Sequence, residues 1–424
     1  MLARLFRSSY AYVAINTAVS LLAFGRNLLF MNSLGLAEVG QIALMQTIVM
    51  LVGFAQCGLI SGAFILWAGG DRDLNRRMAD VLFAGKAALG VALALALAAL
   101  GPGVLMPTVA PETLVIGMAA GLATLAGNWM NNVLVADQKL PQANLVNVLA
   151  VLVSLGLAVL TLGVGDLRMA LVSIALQPLL VALGALLAEP LARPRPRVPD
   201  GATMRLMLSV GLNPFLGSLS LLLTYQIERW TLAVALGPEE LGRYYIVILY
   251  LTFFLLIPSA LLNVTFPRAK RALAAGDRTE FDRVLRRHTI EQAGFSLLAL
   301  VLKLLLLSLI LRHFLPNYIG TEPLVYLAFV AGLGMLLQQS GTLVLYAVED
   351  TRPLLVAGAV SLAMFCAFLL VAWGLEQFNA NAVIAARVVA AFAAAVPLLV
   401  ARRRALQSLT VTASTTHQGE EHGF

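Results

Sequence analysis

The chain has 424 residues, of which 60% are hydrophobic and only 12% are charged. Its mean hydropathy of +0.88 excludes a soluble globular protein, because a soluble fold of this length needs far more charge on its surface. The net charge of +7 does not indicate a nucleic-acid partner, since the basic residues lie between apolar segments, where they set membrane topology.

Twelve segments are apolar and long enough to cross the hydrocarbon core, which takes about 20 residues of helix. They lie at residues 9–31, 38–67, 79–106, 113–136, 143–164, 167–188, 206–236, 243–266, 289–312, 322–346, 353–375 and 383–401. The first follows two arginines but carries no small-residue cleavage site, so it is expected to stay as a span. The sequence therefore predicts an all-α, multi-pass membrane protein.

Basic residues are concentrated in every second connection between these spans. On the opposite side the connections carry only Arg168, Arg243 and Arg312. The positive-inside rule then places both termini in the cytoplasm.

The sequence also contains an internal repeat. Three short motifs recur in the same order: residues 34–40 (LGLAEVG) as 236–242 (LGPEELG), 68–72 (AGGDR) as 274–278 (AAGDR), and 136–141 (ADQKLP) as 348–353 (VEDTRP). The offsets grow along the chain from 202 to 206 to 212, as small loop insertions would make them. With six spans in each half, the halves are parallel repeats, which is typical of transporters with a substrate site between the repeats.

The repeat predicts two six-helix lobes, residues 1–188 and 206–401, around a central cavity. Residues 189–205 form the cytoplasmic linker between them, where prolines alternate with arginines and favour an extended, stiff chain. Residues 267–288 are either an amphipathic helix on the inner leaflet or a solvated connector. The tail, residues 402–424, is predicted to be disordered and cytoplasmic.

A few ionisable side chains lie deep in the predicted spans, and each is costly there unless it faces water or a partner. They are Arg26, Lys86, Glu228, Arg229, Lys303 and Arg387. Arg26 precedes Leu34 by eight residues, as Glu228 precedes Leu236, so both halves carry charge roughly 10–13 Å below the outer surface. Two explanations stay open: these residues line a wet cavity, or Arg26 and Glu228 form a buried ion pair.

Other polar residues in the spans are further candidates. Lys303 stands in a run of leucines too deep for easy snorkelling, so a functional or paired position is expected. Asn128, Asn131 and Asn132 share one helix face. Such a face either bonds one helix to another or lines a cavity.

Features of enzymes are missing from the sequence. It has no Walker A motif, no dinucleotide-binding fingerprint and no spacing typical of metal ligands. Cys57 and Cys366 each stand alone in an apolar segment, and the outer connections are too short for a catalytic domain. The sequence predicts neither an enzyme nor a bound cofactor or metal.

The chain resembles the multidrug/oligosaccharidyl-lipid/polysaccharide (MOP) exporter superfamily, and most closely its Wzx-type polysaccharide flippases. The resemblance covers about residues 1–400 and rests on three motifs: Gly25-Arg26-Asn27 before the first LG motif, Ile227-Glu228-Arg229 before the second, and Phe266-Pro267. Members of the family commonly have Asp where Glu228 stands. The resemblance implies two lobes around a cavity that opens to each side in turn, lined by the first, second, seventh and eighth spans.

The implied substrate is an oligosaccharide repeat unit on an isoprenoid diphosphate, moved to the outer leaflet of a bacterial cytoplasmic (inner) membrane for polysaccharide or O-antigen synthesis. The implied binding residues are Arg26, Arg229, Glu228, Lys303, Asn128 and Asn131. Arg26 and Arg229 would hold the diphosphate or acidic sugars, and Glu228 would orient Arg26 or carry a coupling proton. Such a flippase would work with a polysaccharide polymerase and a chain-length regulator.

Two alternatives within the same superfamily stay open. A cation-coupled multidrug antiporter would favour acidic residues in the cavity, whereas basic residues dominate here. A flippase for a peptidoglycan-precursor lipid typically has two further spans.

Overall fold

The structure, a computed structural model, describes residues 9–67, 72–100, 108–136, 139–161, 165–189, 199–348, 350 and 352–420. In these residues all regular structure is helical. The helices are α1 (Ser9–Ser33), α2 (Leu36–Gly53), α3 (Leu59–Trp67), α4 (Arg72–Leu100), α5 (Pro111–Ala136), α6 (Leu140–Thr161), α7 (Leu167–Ala188), α8 (Gly201–Leu236), α9 (Pro238–Ala274), α10 (Arg278–His313), α11 (Glu322–Ala347), α12 (Arg352–Gly374) and α13 (Ala380–Glu420), with a 3₁₀ turn at Pro316–Tyr318. Within the described residues, ten helical stretches are long and apolar enough to span a membrane, which confirms the all-α, multi-pass fold.

The second predicted span, residues 38–67, consists of two helices instead of one. α2 ends at Gly53 and α3 begins at Leu59. Between them Cys57 has a φ of 46° and Gly58 a φ of 85°. A right-handed helix needs negative φ, so the chain cannot continue as one helix through these residues.

The connection at residues 267–288 is also shorter than expected. α9 continues to Ala274 and α10 begins at Arg278, so both helices extend into this stretch. Gly276 turns the chain with a φ of 69°, and the Asp277 carboxylate accepts a hydrogen bond from the Glu280 amide at 2.9 Å. This stretch is therefore two helix ends joined by a capped turn and not one separate amphipathic helix.

The chain forms two compact units. The first comprises Met1–Leu249 with Leu309–Thr321, and the second comprises Tyr250–Ser308 with Glu322–Phe424. In the first unit α1 packs on α6, α2 on α5, α3 on α8, and α7 on both α5 and α6. In the second, α11 and α12 both pack on α13.

This division does not fall at the predicted linker, of which residues 190–198 lie outside the described residues. The boundaries of the two six-helix lobes therefore stay a prediction. At the other end of the chain α13 continues past residue 401 to Glu420, where the sequence suggested a disordered tail.

Small residues bring the helices of each unit close together. A Cβ added at Gly184 would lie 2.9 Å from Val146, and one added at Gly332 would lie 2.7 Å from the Phe254 ring. In a bilayer the apolar effect does not drive one helix onto another, so close packing of this kind supplies much of the attraction.

Candidate functional site

The repeated LG motifs meet each other in the structure, at a contact named here the Gly40 crossing (Leu36, Gly40, Pro238 and Gly242). A Cβ added at Gly40 would lie 1.9 Å from the Pro238 carbonyl oxygen, and one at Gly242 would lie 1.8 Å from the Leu36 carbonyl oxygen. The contact is reciprocal, because both pairs are related by the same offset of 202 residues (36 to 238, 40 to 242). The start of α2 and the start of α9 thus cross on a local two-fold axis, backbone against backbone.

A second close contact, the Gly62 crossing (Gly58, Gly62, Met207 and Gly211), joins α3 to the beginning of α8. A Cβ at Gly62 would lie 1.9 Å from the Met207 carbonyl oxygen, and one at Gly211 would lie 2.1 Å from the Gly58 carbonyl oxygen. About 30 residues of helix separate Met207 from Pro238, which is roughly 45 Å of chain at 1.5 Å per residue. The two crossings therefore lie at opposite ends of α8.

Between these crossings, buried polar side chains of α8 and α9 come together. Glu228 is 2% exposed and Arg229 is 7% exposed. The Glu228 carboxylate accepts a hydrogen bond from the Tyr244 hydroxyl, and Gln46 on α2 donates to the Tyr245 hydroxyl at 2.6 Å. A buried glutamate and a buried arginine are thus held beside two buried tyrosines.

Arg26 approaches the same region from α1. Its side chain is 5% exposed, and Nη1 donates to Ser154 Oγ on α6 and, at 3.0 Å, to Gln177 Oε1 on α7. Ser154 in turn donates to the Ser173 carbonyl oxygen at 2.6 Å. The hydrogen-bond partners of Arg26 among the described residues, Ser154 and Gln177, are both neutral. Its buried Nε atom has no hydrogen-bond partner among the described residues.

Arg229 reaches the part of α2 that contacts Tyr245. Its Nη1 atom lies 3.8 Å from Met50 Sδ, one helical turn after Gln46, whose amide donates to the Tyr245 hydroxyl, and both arginines are near enough to Tyr245 to interact with it electrostatically. The structure thus brings three of the predicted residues, Arg26, Glu228 and Arg229, around the tyrosine pair. The direct Arg26–Glu228 pair that the sequence left open is not among the contacts of Arg26.

Lys303 belongs to the second unit. Its Nζ atom lies 4.3 Å from the ring centroid of Tyr326 and 4.1 Å from that of Phe329. A cation over two aromatic faces is stabilised by their quadrupoles. These rings explain why a lysine that is only 7% exposed is tolerated in a run of leucines.

The asparagine face of α5 is divided between two environments. Asn131 accepts a hydrogen bond from Asn147 on α6 at 3.2 Å, which joins one helix to the next. Asn128 is exposed. The side chains of Asn132 and Lys86 lie outside the described residues.

Sequence reasoning missed several members of this cluster, above all Tyr244 and Tyr245. Tyrosine is common at membrane interfaces, so its presence in a span carries little signal. A usable signal was their position, two and three residues after Gly242 of the repeated motif. Gln226 was missed as well; it is 3% exposed and neither of its amide atoms has a hydrogen-bond partner among the described residues.

Comparison with known proteins identifies the fold. No model of a known protein family matches the chain, and no curated protein matches it. Among solved structures, an inward-facing multidrug resistance MATE-family transporter of the MOP superfamily aligns with a TM-score of 0.73 at 15% identity, over 93% of this chain and 96% of the other. The lipid II flippase MurJ, in an inward closed conformation, aligns with a TM-score of 0.71 at 12% identity, over 95% of this chain and 90% of the other.

A third similar structure is a MOP-superfamily transporter from Pyrococcus furiosus, for which a reverse polarity of the binding pocket is reported to suggest a different function. It aligns with a TM-score of 0.63 at 16% identity, over 94% of this chain and 95% of the other. At these identities the comparison establishes a shared fold. The chain therefore has the fold of MOP-superfamily transporters.

Proposed function

We propose that this protein is a flippase that carries an isoprenoid-diphosphate-linked oligosaccharide from the inner to the outer leaflet of a bacterial cytoplasmic membrane by alternating access. One observation carries the proposal: two buried arginines, Arg26 on α1 and Arg229 on α8, lie in one unit, and the hydrogen-bond partners found for them among the described residues, Ser154, Gln177 and Met50, are uncharged. The similar MurJ structure is that of a lipid flippase, which makes this cargo class compatible with the fold.

The chemistry of the cluster suits a diphosphate. Arginine presents a planar fork of donors that matches phosphate oxygens in pairs, and such charge-assisted hydrogen bonds are about twice as strong as neutral ones. Arg26 is held by the neutral groups of Ser154 and Gln177, so its charge remains available to an anion. A diphosphate would otherwise lose its hydration in the membrane at high cost.

The two crossings supply the gating that alternating access requires. In this structure α2–α3 contacts α8–α9 at the Gly40 crossing and again at the Gly62 crossing. We infer that each crossing separates in turn, so that the arginine cluster is open to one leaflet at a time. Because the contacts are between backbones at glycines, no side chain has to be withdrawn when they part.

A cation-coupled drug antiporter is the second candidate, and one observation favours it. The buried carboxylate of Glu228 accepts a hydrogen bond from Tyr244, and a buried carboxylate is the group that a coupling ion or a cationic drug requires. Basic residues nevertheless outnumber this single acid in the cluster, which favours an anionic cargo.

The proposal is tested by measuring the amount of lipid-linked oligosaccharide in cells that lack the protein and in the same cells after each variant is added back. We expect single repeat units to build up on the inner leaflet, and we expect the wild type to clear them. Arg26→Gln with Arg229→Gln should fail to do so. Each lost contact to phosphate is expected to cost about 1.5–3 kcal/mol, which is roughly tenfold to hundredfold in transport at limiting substrate.

Arg243→Gln is the matched control, because it removes an arginine charge from α9 at a partly exposed position beside Glu239 and Glu240. It should restore export fully. Unchanged export by a well-expressed Arg26→Gln/Arg229→Gln protein would contradict the proposal. Absence of build-up, together with altered sensitivity to cationic drugs, would favour the antiporter.

A further inference from the structure

A pocket of about 480 Å³ lies in the second unit, and none of its lining residues belongs to the arginine cluster. Val348 and Asp350, just beyond the end of α11, form one side of it with Pro353 in the first turn of α12. α13 forms the other side. The volume is within the range of small-molecule sites, roughly 300–1,000 Å³.

α13 presents one continuous face to this pocket. Ala401, Arg404, Ala405 and Ser408 follow the i, i+3, i+4, i+7 spacing of a single helix face. Of the neighbouring arginines, Arg402 donates to Ser340 Oγ at 3.2 Å within the bundle, whereas Arg403 is exposed and outside the lining. The pocket therefore receives one arginine of the triplet.

An acid and a base face this pocket without pairing. Neither Asp350 nor Arg404 takes part in any of the ion pairs found among the described residues. One Asp350 carboxylate oxygen accepts a hydrogen bond from the Arg352 amide at 3.3 Å, at the start of α12. A carboxylate and a guanidinium on one concave surface suit a ligand that carries both charges.

The first half of the repeat has an ion pair at the corresponding positions of the sequence. There Lys139, beside the start of α6, forms an ion pair with Glu189 at the end of α7, and Glu189 is buried. At the offset of 212 set by the loop motif, Lys139 corresponds to Thr351 and Glu189 to Ala401. The second half cannot form that pair, because neither counterpart is ionisable, and one of them, Ala401, lines the pocket.

The pocket lies where the apolar part of α13 gives way to charge. Ala401 ends the apolar stretch and the basic triplet Arg402, Arg403 and Arg404 follows directly, a pattern typical of the cytoplasmic membrane interface, where lipid head groups lie. Apolar side chains such as Leu409 and Pro353 complete the lining. We propose that this pocket binds the head group of an amine-containing zwitterionic phospholipid, with the phosphate on Arg404 and the ammonium on Asp350.

Thermal unfolding of the purified, detergent-solubilised chain tests this. A ligand that binds only the folded state raises the unfolding midpoint according to its concentration and affinity. We expect dihexanoyl phosphatidylethanolamine to raise it. Arg404→Gln or Asp350→Asn should require about tenfold more lipid for the same rise, because each removes one charged contact. Arg403→Gln, the matched control, should behave like the wild type.

Asparagine keeps a side-chain oxygen that can accept the hydrogen bond from the Arg352 amide, so Asp350→Asn preserves this contact at the start of α12. If that variant fails to fold, the test rests on Arg404→Gln. Arg404→Lys keeps a positive charge, so it should restore part of the stabilisation by lipid that Arg404→Gln loses. Equal stabilisation by dihexanoyl phosphatidylglycerol would overturn the zwitterion, since that head group has no ammonium. Equal stabilisation by free phosphoethanolamine would show that the ligand need not be a lipid. The site itself would be overturned if Arg403→Gln weakened the response to lipid as much as Arg404→Gln does, or if no lipid raised the unfolding midpoint.

Discussion

The reciprocal contact between the two LG motifs allows a quantitative test of the proposed gating. In the Gly242→Ala variant the new methyl carbon would lie 1.8 Å from the Leu36 carbonyl oxygen, whereas an ordinary contact begins at 3.4 Å. The helices would have to separate there by about 1.6 Å. The opposing atom is a backbone oxygen, which cannot rotate away as a side chain can.

Overpacking of this kind typically costs about 1–3 kcal/mol. The cost falls only on the conformation in which the Gly40 crossing is closed, so it shifts the equilibrium towards the open conformation by roughly 5- to 150-fold. Gly40→Ala should have a similar effect, because its methyl carbon would lie 1.9 Å from the Pro238 carbonyl oxygen.

The assay is the labelling rate of a cysteine placed at Gln46, whose amide bonds to the buried Tyr245 hydroxyl. Cys57 and Cys366 are first replaced by serine, and a hydrophilic thiol reagent is added to the purified chain. Labelling should accelerate by about the factor given above in Gly242→Ala. It should stay unchanged in Gly156→Ala, because a Cβ at that helical glycine meets nothing within 4 Å. If Gly242→Ala is labelled no faster than Gly156→Ala, the crossing is not a gate.

Three further predictions concern buried polar groups, and all are measured as changes in unfolding free energy in detergent. Tyr245→Phe should destabilise the chain by about 1–2 kcal/mol, because the Gln46 amide that donates to its hydroxyl loses its acceptor. The control, Tyr250→Phe, should be neutral or stabilising, since that hydroxyl has no hydrogen-bond partner among the described residues. Equal losses of stability in the two variants would show that the hydrogen bond of Tyr245 is unimportant. Ser154→Val should destabilise by about 1–3 kcal/mol, because it removes the acceptor of a buried guanidinium; a change near zero would mean that water replaces the hydroxyl. Lys139→Met should destabilise by about 1–3 kcal/mol, because it removes the cation that is paired with the buried Glu189 carboxylate. Adding Glu189→Leu should recover most of the loss, and a double variant no more stable than Lys139→Met would refute the importance of this pair.

The arrangement also explains how buried charge is tolerated within this fold. Glu228 accepts a hydrogen bond from a tyrosine, Arg26 donates to neutral polar groups, and Lys303 lies over two aromatic rings. The contacts of Arg26 and Lys303 are thus with neutral groups, which stabilise a buried cation without neutralising it.

The sequence by itself determined the class of the protein and most of its helices. Hydropathy is a property of local composition, so apolar helices could be found without any tertiary contact. The repeat also predicts Arg26 and Glu228 at one depth, because a helix rises by a constant amount per residue, and this depth stays a prediction. The internal repeat predicted the fold of a transporter, and the similar solved structures, which are those of a transporter and a flippase, confirm that fold.

Only the tertiary structure decided what those charges contact. The break at Cys57 and Gly58 lies where Gly211, which is distant in sequence, approaches Gly58 closely. Likewise, the partners of Arg26 lie on α6 and α7, more than 120 residues away. Periodicity shows which side of a helix is polar but not which helix lies opposite. The meeting of Gly40 with Gly242 was present in the sequence as a repeat, yet only packing shows that the two copies contact each other.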